Sequence, residues 1–189
     1  ITNFFDKSRL ISDQDMQRLW ANVLAGEANM PGSFSKRTVN LLADLDKKDA
    51  ELFTALCSFA WSIGGMAPLI FDAKHEIYNK MGLGFSTLSH LDSLGLIVFN
   101  SITGYIKMGL PEQVALYYFD RPVVLNMPQK ADNELQIGCV LLTKAGEDLA
   151  TICGANPVDG FFEYVYDKWA VAGLVPKREV DTDRGGMNS

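Results

Sequence analysis

The chain is short of the residues from which many active sites are built. Of its 189 residues only two are histidines, His75 and His90, and imidazole is the side chain whose ordinary pKa suits proton transfer near neutrality. No GxSxG, no HExxH and no pair of histidines at ligand spacing occurs, which excludes the hydrolases and zinc peptidases those motifs mark. His75 stands in a charged helical stretch and His90 in a leucine-rich one beside Asp92, and both read as surface or satisfied core histidines. Cysteine is almost as scarce. Cys57, Cys139 and Cys153 lie far apart among apolar residues with no CxxC, and read as buried thiols of a reducing cytoplasm rather than as a metal or redox centre. Basic residues are the minority, 17 against 23 acidic ones for a net charge of −6, a balance that disfavours nonspecific attraction to nucleic acid or anionic membrane. No apolar run reaches the roughly 18 residues a bilayer span requires, and no signal-peptide pattern opens the chain. It begins at Ile1 rather than at methionine, and is expected to be a fragment of a longer protein.

What is present is ordinary globular material, 48% hydrophobic, enough for one domain or two small subdomains around a sizeable core. Ser12 with Asp15 forms a capping-box-like start. Met16, Leu19, Trp20, Val23 and Leu24 then follow at the spacing of one apolar helix face, with Gly26 as the expected C-cap. A second helix is expected from Ser35 through Leu45. A third follows, capped by Asp46 with Asp49, its stripe of Phe53, Leu56, Cys57, Ala60 and Trp61 ending at Gly64-Gly65.

From Met66 the texture changes. Residues 72–80 suggest a short helix, STLSHLDSLG a leucine-rich helix stopped by Gly95, and LIVF at 96–99 a strand. Residues 114–126 are strand-like, with Pro122 demoting one segment to an edge, and Leu135, Ile137, Cys139 and Leu141 alternate as in a half-buried strand. Thr143 caps the helix KAGEDLATIC. A last helix carries Phe162, Val165, Tyr166 and Trp169 on its inner face, which leaves Phe161, Tyr164 and Lys168 on a second face as a candidate interface.

The order leucine-rich helix, LGLI, strands, then LLTKAGEDL resembles the winged-helix family over about residues 70–153. The resemblance implies a helix leading into a β-wing and an LTxxG-like turn starting the closing helix, although the hairpin region 96–142 is longer than a simple wing. The expected fold is therefore α+β, an N-terminal helical unit packed on a winged-helix-like helix and β-hairpin half. The expected division is 1–65, 66–175 and a loose tail at 176–189. As a DNA reader such a half would be poorly charged. STLSHLDSLGLIV at 86–98 contains no lysine or arginine, and residues 66–189 carry ten basic and fifteen acidic side chains.

The most distinctive stretch is GEANMPGSFSKRT at 26–38. It lacks the GxxxxGK[ST] spacing of a phosphate loop and follows a helix rather than a strand. Two readings stay open. Ser33 and Ser35 at a helix start, with Lys36 and Arg37 adding charge, form a weak anion site; or Pro31-Gly32 turns the chain, a serine caps the helix and the basic pair is solvated, the reading these residues favour. The acid pairs Asp13/Asp15, Glu147/Asp148 and Asp181/Asp183 read as helix-start charges or tail rather than as metal ligands.

LWANVLAGEANMPGSFSKRT, continued by LLADLDKKDAELF, resembles the signature of a family of uncharacterised bacterial proteins catalogued as a domain of unknown function. The resemblance implies a bacterial cytoplasmic protein and supplies no mechanism. More distantly, Leu19-Trp20, Leu24-Ala25, Leu42, Leu45 and Asp49-Ala50 are similar to positions in the abortive-infection alpha proteins, which would imply phage defence. The expectation that follows is a non-catalytic protein-interaction or oligomerisation module without cofactor or metal. Its rivals are a winged-helix DNA-binding regulator and a component of a phage-defence system.

Overall fold

The computed structural model describes residues 14–176, so the expected cap at Ser12 and nearly all of the expected tail lie outside the described residues. Three helices come first: α1 (Gln14–Asn29), α2 (Lys36–Asp44) and α3 (Lys47–Cys57). Met16, Leu19, Trp20 and Val23 of α1 are buried, as their spacing predicts. Gly26 does not end the helix. α1 runs a turn further, and a Cβ at Gly26 would stand 2.6 Å from Cε2 of Phe34, so glycine is there to let that ring lie against the helix. Ser35 caps α2 by accepting from Thr38 N, and Asp46 and Asp49 form a reciprocal capping box at the start of α3.

The third helix stops sooner than its stripe suggests. Beyond Cys57 the chain turns into β1 (Ala60–Ser62), and Gly64-Gly65 is the bend of a hairpin with β2 (Met66–Pro68) rather than a helix terminus. Phe59, Trp61 and Ile63 are all buried, a period of two. Trp61, four residues after Cys57, satisfied both periods in the sequence, and the strand period prevails because β1 is paired on both sides.

Two short helices follow, α4 (Glu76–Asn79) and α5 (Phe85–Ser93), then β3 (Ile97–Phe99), β4 (Tyr105–Leu110), β5 (Gln113–Tyr118), β6 (Arg121–Asn126), β7 (Asn133–Gly138) and β8 (Val140–Leu142). Helices α6 (Lys144–Ala150) and α7 (Phe161–Val171) complete a mixed α+β fold. Among the described residues the strands form an antiparallel four-stranded sheet, β2-β1-β5-β6, and two antiparallel pairs, β3-β8 and β4-β7. Pro122 lies on β6, at the sheet edge, where its missing N–H costs no ladder bond. The single alternating strand expected over 135–141 is two strands. Gly138, at φ +94°, separates them because the Ile70 carbonyl presses against it and accepts from Cys139 N at 2.8 Å. Strand β4, which the sequence reading missed, mixes Ile106, Met108 and Gly109 on exposed positions and has irregular register with β7.

The core is continuous from α1 to α7 and aromatic at its centre. Phe59 meets Phe161 edge-on at 4.8 Å, Trp61 meets Trp169 edge-on at 4.8 Å, and Tyr118 stacks on Trp61 at 5.3 Å. Such pairs contribute about 0.5–1.5 kcal/mol each beyond burial. Two buried tyrosine hydroxyls are satisfied inside it. Tyr118 Oη donates to the Ser58 carbonyl at 2.7 Å and accepts from Val158 N at 2.7 Å, while Tyr78 Oη donates to the Leu69 carbonyl at 2.7 Å.

The two motifs that carried the winged-helix resemblance touch one another. Thr143 Oγ1 donates to the Gly95 carbonyl at 2.7 Å and accepts from Gly146 N at 3.1 Å, which caps α6 and ties it to the end of α5. Gly146 has no room for a side chain, because a Cβ there would collide with the Leu96 carbonyl oxygen. Glycine to alanine inside a helix ordinarily stabilises by about 1 kcal/mol. Gly146→Ala is expected to do the reverse, lowering unfolding stability by at least about 2 kcal/mol in urea titration. A neutral or stabilising result would remove this backbone junction from the account.

Candidate functional site

The opening loop is already filled by a carboxylate of its own chain. Glu27, in the last turn of α1, accepts from Gly32 N at 3.0 Å and from Phe34 N at 2.7 Å. Ser33 Oγ turns back to the Met30 carbonyl, and Ser35 Oγ accepts from Thr38 N at 3.0 Å and lies 2.9 Å from Thr38 Oγ1. Both hydroxyls of the expected anion site are therefore engaged in shaping the turn. Lys36 and Arg37 are exposed in the first turn of α2. From Ser35 the polar contacts run inward: Thr38 Oγ1 donates to buried Asp148 Oδ2 at 2.8 Å, and Lys144 Nζ stands 2.9 Å from Asp148 Oδ1. Asp148, expected only to favour the dipole of α6, joins α2 to that helix.

The expected interface on α7 divides. Phe161 is fully buried, in ring contact with Phe59, Tyr118 and Tyr78, and belongs to the core rather than to any surface. The helix buries Phe161, Val165, Trp169 and Ala170, so Val165 and Trp169 face inward as expected, whereas Phe162 and Tyr166 are only partly buried and Phe161 takes the inner position. Phe162 instead stacks on Trp61 at the rim of the core, with the Arg121 guanidinium 3.5 Å above its ring and Arg121 paired to Glu163 at 2.8 Å.

Tyr164 and Lys168 do share a face. Lys168 Nζ lies 5.2 Å from the rings of both Phe71 and Tyr164, on the wall of a groove of about 910 Å³ between α7 and the β4-β7 pair. Ile102 and Val171 also line this groove and are 92% and 87% exposed, far beyond what a packed aliphatic side chain retains. Glu134 adds an acidic group opposite Lys168 in charge.

A second cleft, of about 890 Å³, opens between α3, α4 and the segment 152–159. Thr54, His75, Lys80, Cys153 and Asp159 line it, with Ala50 and Val158 among its apolar surfaces. His75 caps α4 by accepting at Nδ1 from Ile77 N, 3.2 Å away. Cys153 Sγ donates to the Ala150 carbonyl at 3.5 Å, and the Cys57 thiol holds the Cys153 pKa down to about 7 against a burial that opposes it. Burial pushes Cys57 up. His90, expected beside Asp92, pairs across the helices with Asp49, Nε2 to Oδ1 at 2.6 Å. Among the described residues no group of three or more His, Cys, Asp or Glu side chains is placed to hold a metal, and no helix is long and apolar enough to cross a membrane.

A family described as Protein of unknown function (DUF2806) matches residues 1–166. The chain belongs to the DUF2806 family. The matched span takes in α1 to α3 with their distinctive turn and the whole lining of the cleft between α3 and α4, and it ends within α7, before Lys168 and Val171 of the groove. No curated protein and no solved structure matches the DUF2806 chain.

The Glu27 clamp has a pH signature. The N–H groups of Phe34 and Gly32 hold its carboxyl below the ordinary 4.5. A depressed folded pKa means that the clamp is complete above the ordinary glutamate range and is lost as pH falls through the lower folded value. The Gly32 and Phe34 amide signals are expected to shift together in an NMR titration with a midpoint below 4.5, and Glu27→Ala to remove their exchange protection at neutral pH. A midpoint at or above 4.5 would show that the clamp does not hold in solution.

Proposed function

We propose that this chain is a non-catalytic interaction module and that the groove beside α7 joins it to a second copy of itself. The observation that carries the reading is the presence on one face of both a groove of about 910 Å³ and two aliphatic side chains, Ile102 and Val171, exposed at 92% and 87%. A face with a hollow and protruding apolar groups can complement itself under a two-fold axis, each copy's aliphatics entering the other's groove. The charges suit the same arrangement, since Lys168 lines the groove together with Glu134 and Asp167 and two-fold pairing offers the lysine an acidic partner on the other copy. Tyr164 and Phe71 supply the aromatic surface favoured at interface centres.

A bacterial cytoplasmic setting belongs to the same proposal, as does a winged-helix-like half. α5 runs into β3, β3 pairs with β8, and β8 leads into α6, with residues 100–139 standing where a wing would be. The charge of α5 favours a protein partner over DNA for that half, because the helix contains no lysine or arginine.

Sedimentation velocity over a range from low to high micromolar concentration tests the proposal. The expected result is a reversible dimer, with Ile102→Asp and Val171→Asp each weakening association by at least about 30-fold, the loss typical of an interface hot spot. Both sites are exposed in the single chain, so thermal unfolding should be unchanged at concentrations low enough to keep the parent monomeric. A monomer at every concentration overturns self-association, and variants that associate like the parent overturn the groove as its site. Salt-sensitive binding of duplex DNA in a fluorescence-anisotropy titration would favour the regulator instead.

A further inference from the structure

The four-stranded sheet β2-β1-β5-β6 turns Trp61, Leu116, Tyr118, Val123 and Leu125 into the core. The positions that alternate with these point outward, and the register lines them up in rows. One row crosses all four strands as Met66, Ser62, Tyr117 and Pro122. Beside it Ala115 stands opposite Val124, and beyond them Gln113 stands opposite Asn126. No side chain in these rows is charged, in a chain that is 21% charged with a net of −6. Tyr117 and Val124 are 47% and 51% exposed, where the outer face of an antiparallel sheet is ordinarily polar. Gln113 Nε2 donates to Asn126 Oδ1 at 3.3 Å, which leaves Oε1 of Gln113 to accept and Nδ2 of Asn126 to donate. Strand addition at the β6 edge is obstructed, because Pro122 has no N–H and Asn126 N already donates to the Leu174 carbonyl at 2.8 Å. The sheet therefore offers its face rather than its edge.

We propose that this uncharged face packs on the same face of a second copy, sheet on sheet at a spacing of about 10 Å. A two-fold axis parallel to the strands sets each end of the face against its own kind. Tyr117 and Val124 then meet the partner's apolar end, and the spare acceptor of Gln113 meets the spare donor of Asn126. Charge selects the occupant. A nucleic acid, a lipid headgroup or a charged peptide would bury charges that the face cannot pair. A second copy brings none, so two copies of an acidic chain meet here without setting like charges together. With strands about 4.8 Å apart and a rise of about 3.4 Å per residue, the face covers at most roughly 400 Å², against about 800 Å² per partner in a typical stable interface. The contact is accordingly weak by itself and shows at high protein concentration. It goes beyond the groove beside α7 and does not rest on it. With both contacts the chain builds assemblies larger than a dimer; with the sheet face alone it stops at a dimer.

The test follows the full chain by sedimentation velocity and by amide NMR shifts from about 10 μM to about 1 mM, with Ile102→Asp used to silence the groove. Ile102→Asp is expected still to dimerise toward the top of this range, with concentration-dependent shifts at Ala115, Tyr117 and Val124. Adding Val124→Lys should weaken that dimer at least about tenfold, whereas Val124→Thr, uncharged and β-branched, should leave it in place. Should Ile102→Asp associate like the parent, the groove reading falls, and the sheet face stands if Val124→Lys alone then turns the parent into a monomer. A monomer in Ile102→Asp at every concentration, with those amides unmoved, overturns the sheet face. So does a Val124→Lys chain that associates as strongly as its parent. Should Val124→Lys fail to fold, the shifts in Ile102→Asp decide: movement at the outward residues of β5 and β6 upholds the face, and movement only elsewhere overturns it.

Discussion

The Leu96 carbonyl, set directly against Gly146, is the contact on which the arrangement of the second half depends. It places the start of α6 on the end of α5 at a distance that only glycine permits, and Thr143 makes the approach favourable by serving the Gly95 carbonyl and the α6 amides with one hydroxyl. β3 and β8 leave this junction side by side, Ile97 opposite Leu142. Everything between them, residues 100–139, must depart and return through that pair. The long excursion is anchored at its base by this junction, and again where β5 pairs with β1 and where Cys139 N donates to the Ile70 carbonyl.

α7 closes the other side of the molecule with two faces of different character. The inner one is a column of Phe161, Val165 and Trp169, inserted among Phe59, Trp61 and Tyr118. On the outer side, Lys168 lies over rings with its ammonium toward solvent, the usual compromise of a long charged side chain on apolar surface. A single turn of this helix thus passes from core to groove.

Local chemistry made much of this legible in the sequence. The caps at Ser35, Asp46 and Thr143 act as the residue types predict, because a cap is decided by neighbours three positions away. The apolar face of α1 was readable for the same reason. What the sequence concealed depends on distant partners. Trp61 fits a helix stripe after Cys57 until β1 finds β2 and β5, and Gly138 looks like part of one strand until Ile70 arrives beside it. The outer face of α7 was two-thirds legible. Tyr164 and Lys168 are where the pattern put them, whereas Phe161 is drawn inward by three rings from other segments. The link from Thr38 to Asp148 leaves no local trace, since it joins residues on separate helices.

Glu27 gives the PGSF turn a tethered occupant of its own. The turn's amides face a carboxylate held only a few residues away, and a group on so short a tether competes at an effective concentration of about millimolar or above. A free phosphate or acidic side chain would first have to evict it, and would do so with Lys36 and Arg37 as its sole advantage over the resident. The turn therefore keeps its shape with an acceptor from its own chain, and its two amides need no outside partner.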